Sequence, residues 1–230
     1  MTRADVCIVG AGMAGASLAA ALAPHASVVL IEAESLPGYH ATGRSAAFWT
    51  ESYGGPGVQP LTSASGDFLA RPPADFSDRG FLVPRGALHL AGADDGAALD
   101  AFAARFADSG VALHALDPAG IVARVPGLQP GGWRALLEPS TCDIDVAALH
   151  AAYLHAAKAA GAELRCSAPL RAAVRVAGRW RIEAGGATLA ADVLVDAAGA
   201  WADPVAAIAG AAPLGIQPYR RTVAQLRIAP

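Results

Sequence analysis

Apolar residues near the start of the chain form two short runs, separated by an Ala-rich segment. The runs are residues 4–9 and 27–32, and the segment between them, residues 13–23, is long enough for a helix. Short apolar runs are typical of strands that are buried on both faces of a parallel sheet. The pattern therefore predicts a β-α-β unit. Its right-handed crossover places the first turn and the end of the second strand at one edge of the sheet.

The rest of the hydrophobic pattern predicts further helices and strands. Helices are predicted at residues 60–70, 96–109 and 146–160. Strands are predicted on both sides of a turn at 84–86 within residues 81–90, and at 163–166, 172–176, 180–183, 187–190 and 192–195. Asp145 and Gly161 suit the N-cap and C′ positions of the third of these helices. This order of elements predicts the α/β class.

Composition narrows the possible functions. With 54% hydrophobic and 16% charged residues, the chain of 230 residues is too apolar for a disordered protein. A net charge of −3 provides no excess of positive charge for nucleic acid, so we expect no nucleic-acid partner. The three cysteines lie far apart and the six histidines lack metal-ligand spacing. We therefore expect no disulfide framework, no metal site and a cytoplasmic location.

Residues 6–31 carry no formal charge and are long enough to be considered as a membrane span. Three glycines and Pro24 interrupt the stretch, and Asp5 precedes it. These features divide it into a strand, a turn, a helix and a second strand. We therefore expect no transmembrane segment.

Residues 10–15 match the pattern G-x-G-x-x-G directly after the first strand. Gly10 permits a tight turn, Gly12 lets a pyrophosphate approach the backbone, and Gly15 allows close packing of helix on strand. Glu32 ends the second strand, where a carboxylate accepts hydrogen bonds from ribose hydroxyls and repels a 2′-phosphate. The candidate nucleotide-binding residues are Gly10, Gly12, Met13, Ala14, Gly15 and Glu32. This pattern alone does not distinguish FAD from NAD.

Residues 37–47 follow the second strand, where an extended dinucleotide would pass, and they offer small hydrogen-bond donors. With this segment, the chain resembles the D-amino-acid oxidase-like superfamily of FAD-dependent amine oxidoreductases, and within it the D-arginine dehydrogenases. The blocks that carry the resemblance are residues 10–15, 38–47, Thr50, Tyr53, 143–145, 197–201 and 214–218.

The resemblance implies FAD as the cofactor and a particular domain organisation. The expected fold is an α/β, FAD-binding Rossmann-like domain with an inserted α+β substrate domain. Residues 1–80 and 141–219 would form the FAD-binding domain, and residues 81–140 a segment of the substrate domain. Residues 220–230 would begin a further substrate-domain strand, with the rest of a longer protein missing.

The resemblance also implies roles for individual residues. Those expected at the flavin half of FAD are Thr42, Gly43, Arg44, Ser45, Ala46, Ala47, Ala198, Gly199 and Trp201. Tyr53 lies on a Gly-rich loop that would close over the substrate and hydrogen-bond to it. Arg221 would bind the substrate carboxylate, and a second arginine of that kind would follow residue 230.

Two positions depart from the D-arginine dehydrogenase pattern. Ala87 stands where those enzymes have a glutamate that receives the cationic side chain of the substrate, and Phe48 replaces a histidine. Both changes predict a pocket that prefers neutral or apolar amino acids.

The expected activity is FAD-dependent oxidation of an amino acid or related amine, most simply a D-amino acid. Hydride transfer to the flavin would give the imino acid. The substrate is a small molecule, while the electron acceptor and the group that takes the amine proton stay open. The alternatives are a non-catalytic FAD-binding fragment and an NAD-dependent Rossmann dehydrogenase.

Overall fold

The computed structural model describes residues 2–129, 131–220, 222–224 and 227. The strands in chain order are β1 Thr2–Val9, β2 Val28–Ile31, β3 Phe48–Trp49, β4 Leu82–Pro84, β5 Ala87–Ala91, β6 His114–Leu116, β7 Arg134–Glu138, β8 Cys142–Ile144, β9 Glu163–Arg165, β10 Leu170–Val176, β11 Arg179–Ala184 and β12 Ala187–Asp196. The α-helices are α1 Met13–Leu22, α2 Gln59–Ala70, α3 Gly96–Arg105, α4 Pro118–Arg124, α5 Val146–Ala159 and α6 Ala202–Ile208.

The chain divides into two compact units. Unit 1 comprises Met1–Ala46 and Val146–Pro230, and unit 2 is Ala47–Asp145. These limits differ from the division expected at 80/81 and 140/141. The reason is that β3 pairs with β8, and β8 pairs with β4, so that the chain from residue 47 onwards belongs to unit 2.

Unit 1 is built on a sheet of six strands in the order β10-β11-β12-β1-β2-β9. The strands β12, β1, β2 and β9 run parallel, while β10 and β11 add antiparallel pairs. Val9 is in register with both Ile31 and Asp196, so three parallel strands end together. This mixed α/β fold with a parallel-strand sheet confirms the predicted class and the β-α-β unit.

Small side chains let two helices pack closely on this sheet. Ala19 of α1 and Ala157 of α5 are buried in one cluster with Ile8 and Leu30 of the central strands. The opposite face of the sheet buries a second cluster that includes Cys7 and other aliphatic residues. Burial raises the pKa of the Cys7 thiol to about 12, so this cysteine is a packing residue without thiolate reactivity.

The last strand of unit 1 is longer than its sequence pattern predicts. Separate strands were expected at 187–190 and 192–195, but β12 is continuous from Ala187 to Asp196. Asp192, which divided the apolar pattern, forms an ion pair of 2.7 Å with Arg179 at the surface. The carboxylate therefore does not interrupt the strand.

Unit 2 contains two three-stranded sheets, in the orders β3-β8-β4 and β5-β7-β6. The two strands predicted within residues 81–90 exist, but they belong to different sheets and do not pair with each other. Helix α3 packs on the second sheet through Leu99 and Leu136. This helix ends at Arg105, four residues before its predicted end.

The described residues contain neither a membrane-spanning helix nor a metal-binding cluster. Among them, no helix is long and apolar enough to cross a membrane. The same residues contain no group of three or more His, Cys, Asp or Glu side chains that could hold a metal ion.

Candidate cofactor site

The loop between β1 and α1 lies at the carboxyl edge of the parallel strands. Gly10 has φ +101°, and its N–H donates to the carbonyl of Ile31 at 2.8 Å. A Cβ at Gly10 would lie 2.5 Å from the carbonyl oxygen of Ala197, which follows β12. Both the left-handed conformation and this close approach require glycine.

The other two glycines of the motif differ in what they contact. A Cβ at Gly15 would lie 1.9 Å from the Gly10 carbonyl oxygen, so this position must be glycine for helix and turn to pack. A Cβ at Gly12 would meet only the Thr42 hydroxyl, at 3.2 Å, and its φ of −76° suits any residue. The fold itself therefore does not require glycine at position 12, and the space there is available to a ligand.

Glu32 stabilises the loop directly. Its Oε2 accepts a hydrogen bond from the Ala11 N–H at 2.9 Å, and its Oε1 accepts one from the Glu34 N–H at 3.0 Å. A carboxylate has about four lone-pair sites, so these two bonds leave acceptors for a ribose. The structure thus adds a loop-positioning contact to the predicted ribose contact.

The segment after β2 packs against the same loop. The hydroxyl oxygen of Thr42 accepts a hydrogen bond from the Met13 N–H at 3.0 Å, at the N-terminus of α1. Gly43 donates to the carbonyl of Gly38 at 2.7 Å, and a Cβ at Gly43 would lie 2.6 Å from that oxygen. The turn of residues 38–43 is therefore tight, and it places Thr42 beside the predicted phosphate-binding helix end.

An aromatic cluster joins Arg44 to the segment that follows β12. The Arg44 guanidinium lies 4.4 Å from the centre of the Tyr39 ring, and His40 packs against the ring of Trp201 with centroids 4.5 Å apart. His40 also donates to a carboxylate oxygen of Glu34 at 2.8 Å. The structure thus brings together Arg44 and Trp201, which lie far apart in sequence.

The remaining predicted residues have fewer contacts. Ala198 donates its N–H to Asp196 at 3.0 Å, and Gly199 has φ +56°. Ser45 and Ala46 are exposed in unit 1.

Two of the predicted residues belong to unit 2, and a third lies outside the described residues. Ala47 belongs to unit 2, where its carbonyl accepts from Ile144. Tyr53 also lies in unit 2 and is 68% exposed. Arg221 lies outside the described residues.

His150 was not predicted as part of the site, but it holds the loop. It is buried in α5, and its Nε2 donates to the carbonyl of Ala11 at 2.8 Å. The same ring packs so closely on Gly38 that a Cβ there would lie 2.8 Å from the imidazole. The available signal was a polar residue on the apolar face of an Ala-rich helix.

Asp203 is a second residue with a structural role that was not predicted. Its carboxylate accepts hydrogen bonds from the N–H groups of Leu214, Gly215 and Ile216 at 2.9, 3.0 and 2.9 Å. This carboxylate therefore fixes residues 214–216, the last of which lies four positions before Arg220.

The loop has the chemistry of a diphosphate site. The first turn of a helix has N–H groups without intrahelical acceptors and a positive dipole end. Glu32 and Thr42 accept hydrogen bonds from the N–H groups of Ala11 and Met13 and so fix the turn. Among the described residues, apart from chain neighbours and the helix's own backbone, a Cβ at Gly12 would contact the Thr42 hydroxyl alone. These groups fit an extended dinucleotide, with its diphosphate at the helix end.

Comparison with known proteins gives the cofactor. The family model described as "DAO: FAD dependent oxidoreductase" matches residues 5–230. Glycine oxidase from Geobacillus kaustophilus is 25% identical with a TM-score of 0.81, and the match covers 91% of this chain and 59% of that chain. The chain therefore spans about three fifths of that enzyme.

Two further structures share the fold. FAD-bound L-α-glycerophosphate oxidase from Mycoplasma pneumoniae is 18% identical, with a TM-score of 0.81 over 91% of this chain and 58% of that chain. L-proline dehydrogenase from P. horikoshii is 20% identical, with a TM-score of 0.79 over 91% of this chain and 56% of that chain. Since the matching family is FAD-dependent, the cofactor is FAD.

Proposed function

Because the chain belongs to the DAO family of FAD-dependent oxidoreductases, we propose that it serves the FAD-dependent oxidation of an amino acid or related amine to the imino acid. The observation that carries the proposal is the loop of residues 10–15, whose Gly12 leaves space that the fold itself does not need. The family match disfavours the NAD-dependent alternative.

The proposed division of labour follows the contacts. Bound FAD supplies the hydride acceptor for the substrate Cα–H. Glu32, Thr42 and the N-terminus of α1 hold the nucleotide, and the aromatic cluster with Arg44 and Trp201 borders the flavin half. Tyr53 hydrogen-bonds to the substrate on its loop, and Arg221 binds the substrate carboxylate through a charge-assisted pair. The product imino acid then hydrolyses to a keto acid and ammonia.

We propose a D-amino acid with a neutral or apolar side chain as the substrate. The D configuration is proposed from the resemblance of the chain to the D-amino-acid oxidase-like superfamily. The charged groups near Ala87 support a substrate with a neutral or apolar side chain. Ala87 lies opposite Glu138 in the β5–β7 register, but that carboxylate is fully buried and accepts hydrogen bonds from Ser52 and His89.

Asp143 of β8 is a second carboxylate that already has a partner. Asp143 forms an ion pair of 2.9 Å with Arg85, whose guanidinium also lies 4.6 Å from the centre of the Phe48 ring. A cationic side chain near Ala87 would therefore meet a guanidinium and two carboxylates that already have partners. This arrangement disfavours arginine and lysine as substrates.

The test is a substrate panel with the FAD-loaded full-length protein, using a dye as electron acceptor and measuring ammonia and keto acid. We expect D-isomers of neutral and apolar amino acids to give a kcat/KM at least about tenfold above that of D-arginine. A preference for arginine or lysine would refute the side-chain class. FAD binding without any amine oxidation would leave the non-catalytic alternative standing and refute the activity.

A further inference from the structure

The loop of residues 50–58 is fixed at both ends and exposed in the middle. At its start, Ser52 is only 6% exposed. At its end, Gln59 is buried and donates to Ser63 at 2.7 Å. Between them, Tyr53 is 68% exposed and Gly54 has φ +82°. Such a loop has defined attachment points and an exposed segment between them.

The attachment at Ser52 is a buried carboxylate. Glu138 of β7 has no exposed surface. Its Oε1 accepts from the Ser52 N–H at 3.2 Å, and its Oε2 accepts from the Ser52 hydroxyl at 2.6 Å. His89 of β5 donates from Nε2 to the same Oε2 at 2.9 Å. Ser52 and Glu138 are 86 positions apart in sequence, so this contact ties the loop to the β5-β7-β6 sheet.

The carboxylate is held in its charged form. Burial by itself raises the pKa of the Glu138 carboxyl, but the hydrogen bonds from His89 and Ser52 outweigh burial and keep the pKa below its ordinary value. Hydrogen bonds to a charged acceptor are about twice as strong as neutral ones. A fully buried charge that accepts from these three donors therefore holds them tightly.

We propose that Glu138, together with Ser52 and His89, is a positioning network that fixes the hinge of the Tyr53 loop and thereby sets how readily the loop adopts its substrate-binding conformation. This proposal rests on the proposed function, because that function gives Tyr53 its role in binding the substrate. The network itself is a property of unit 2 and is measurable without substrate.

The proposal predicts a specific kinetic pattern. If the anchored loop is the binding-competent form, loss of the anchor reduces the population of that form and raises the apparent KM by the same factor. Hydride transfer in the complex that does form proceeds as before. The expected change is therefore in KM much more than in kcat.

The first test uses hydrogen–deuterium exchange of the FAD-loaded full-length protein. Ser52→Ala removes one oxygen and leaves the rest of the network, so it is expected to fold. Amides of residues 52–58 should exchange about tenfold faster or more, which corresponds to loss of one charge-assisted hydrogen bond. The matched control is Ser77→Ala, which loses side-chain hydrogen bonds with the backbone of Arg79. It should leave exchange in the loop unchanged.

The second test compares steady-state kinetics of the same variants with the best substrate. Ser52→Ala should raise KM about tenfold with kcat changed less than about threefold, while Ser77→Ala matches the wild type. Glu138→Gln should show the same split and a larger exchange effect, since its amide cannot accept from all three donors. Unchanged loop exchange in Ser52→Ala would overturn the proposal. So would a loss confined to kcat. Absence of amine oxidation in the wild type would refute the proposed function, while the exchange result would still decide on the network.

Discussion

His150 is the residue whose contact most directly links the core of unit 1 to the cofactor loop. The Ala11 carbonyl and the His150 ring are both enclosed by the helices and the loop, so their hydrogen bond has no water to replace it. Leaving a buried carbonyl without a donor costs about 1–3 kcal/mol. The imidazole therefore contributes to stability as well as to the shape of the loop.

We expect His150→Leu to lower the free energy of unfolding by about 1–3 kcal/mol, since it keeps the apolar volume and removes the donor. Urea denaturation measures this change. The matched control is His155→Leu in the same helix, where the side chain is exposed. That variant should stay within about 0.5 kcal/mol of the wild type. Equal effects of the two substitutions would show that the Ala11 hydrogen bond carries no stability.

For single residues, the sequence predicts which side chains lie near the site better than it predicts the hydrogen bonds that those side chains make. Glu32 was predicted from its position at a strand end, and it does lie beside the loop, yet its bonds to Ala11 and Glu34 depend on the folded turn. His150 lies 139 positions from its acceptor. No local pattern encodes a pairing of that separation, so the sequence provides only the unexpected polarity of an apolar helix face.

Among the elements, the turn between β1 and α1 contains two glycines with different roles. The fold requires Gly15, whereas Gly12 is needed by the proposed cofactor site. Gly15→Ala places a Cβ against the Gly10 carbonyl oxygen, 1.9 Å away before relaxation, and should destabilise the fold by at least about 3 kcal/mol. Gly12→Ala should change stability by less than about 1 kcal/mol, because its backbone conformation is open to alanine.

The same pair of variants should differ in cofactor binding. Fluorescence titration of folded Gly12→Ala should show FAD affinity reduced about tenfold or more, because the methyl group occupies the diphosphate approach. Full FAD affinity in Gly12→Ala would contradict the assignment of that space to the diphosphate.

Because Glu138 of the β5-β7-β6 sheet is buried and charged, we expect the stability of the protein to depend on pH in the acidic range. Glu138 has a lowered pKa in the folded protein, so its stabilising contribution is complete above the ordinary carboxyl pKa of 4.5 and is lost as pH falls through the folded pKa. The free energy of unfolding, followed by denaturant titration at several pH values, should fall in that acidic range. Glu138→Gln should show a shallower dependence. An equally steep decline in that variant would assign the acid sensitivity to other carboxylates.

The elements of unit 1 were more predictable than those of unit 2. The β-α-β unit and α5 arise from local periodicity and from Gly161, which has φ +95° two residues after the end of α5. The strands β3, β7 and β8 have two to five residues, and they pair with partners distant in sequence. Runs that short do not produce a periodic signal, so the sheets of unit 2 were not predicted.

In the whole molecule, the loop of residues 10–15 contacts segments from both parts of the chain that form unit 1. Residues 10–15 and Thr42 come from the first part of the chain, while His150 and the segment after β12 come from the second. The insertion of unit 2 between them means that unit 1 forms its site only when the two parts assemble on one sheet. Binding of FAD should therefore stabilise unit 1 as a whole.

Titration of the folded, cofactor-free protein with FAD measures whether the loop of residues 10–15 binds this cofactor. We expect one FAD per chain, a bound-flavin spectrum and a rise in Tm. At free FAD one hundred times Kd, the stabilisation should be about 2.7 kcal/mol. A folded protein that shows neither the flavin spectrum nor any rise in Tm at saturating FAD would show that the loop does not bind FAD.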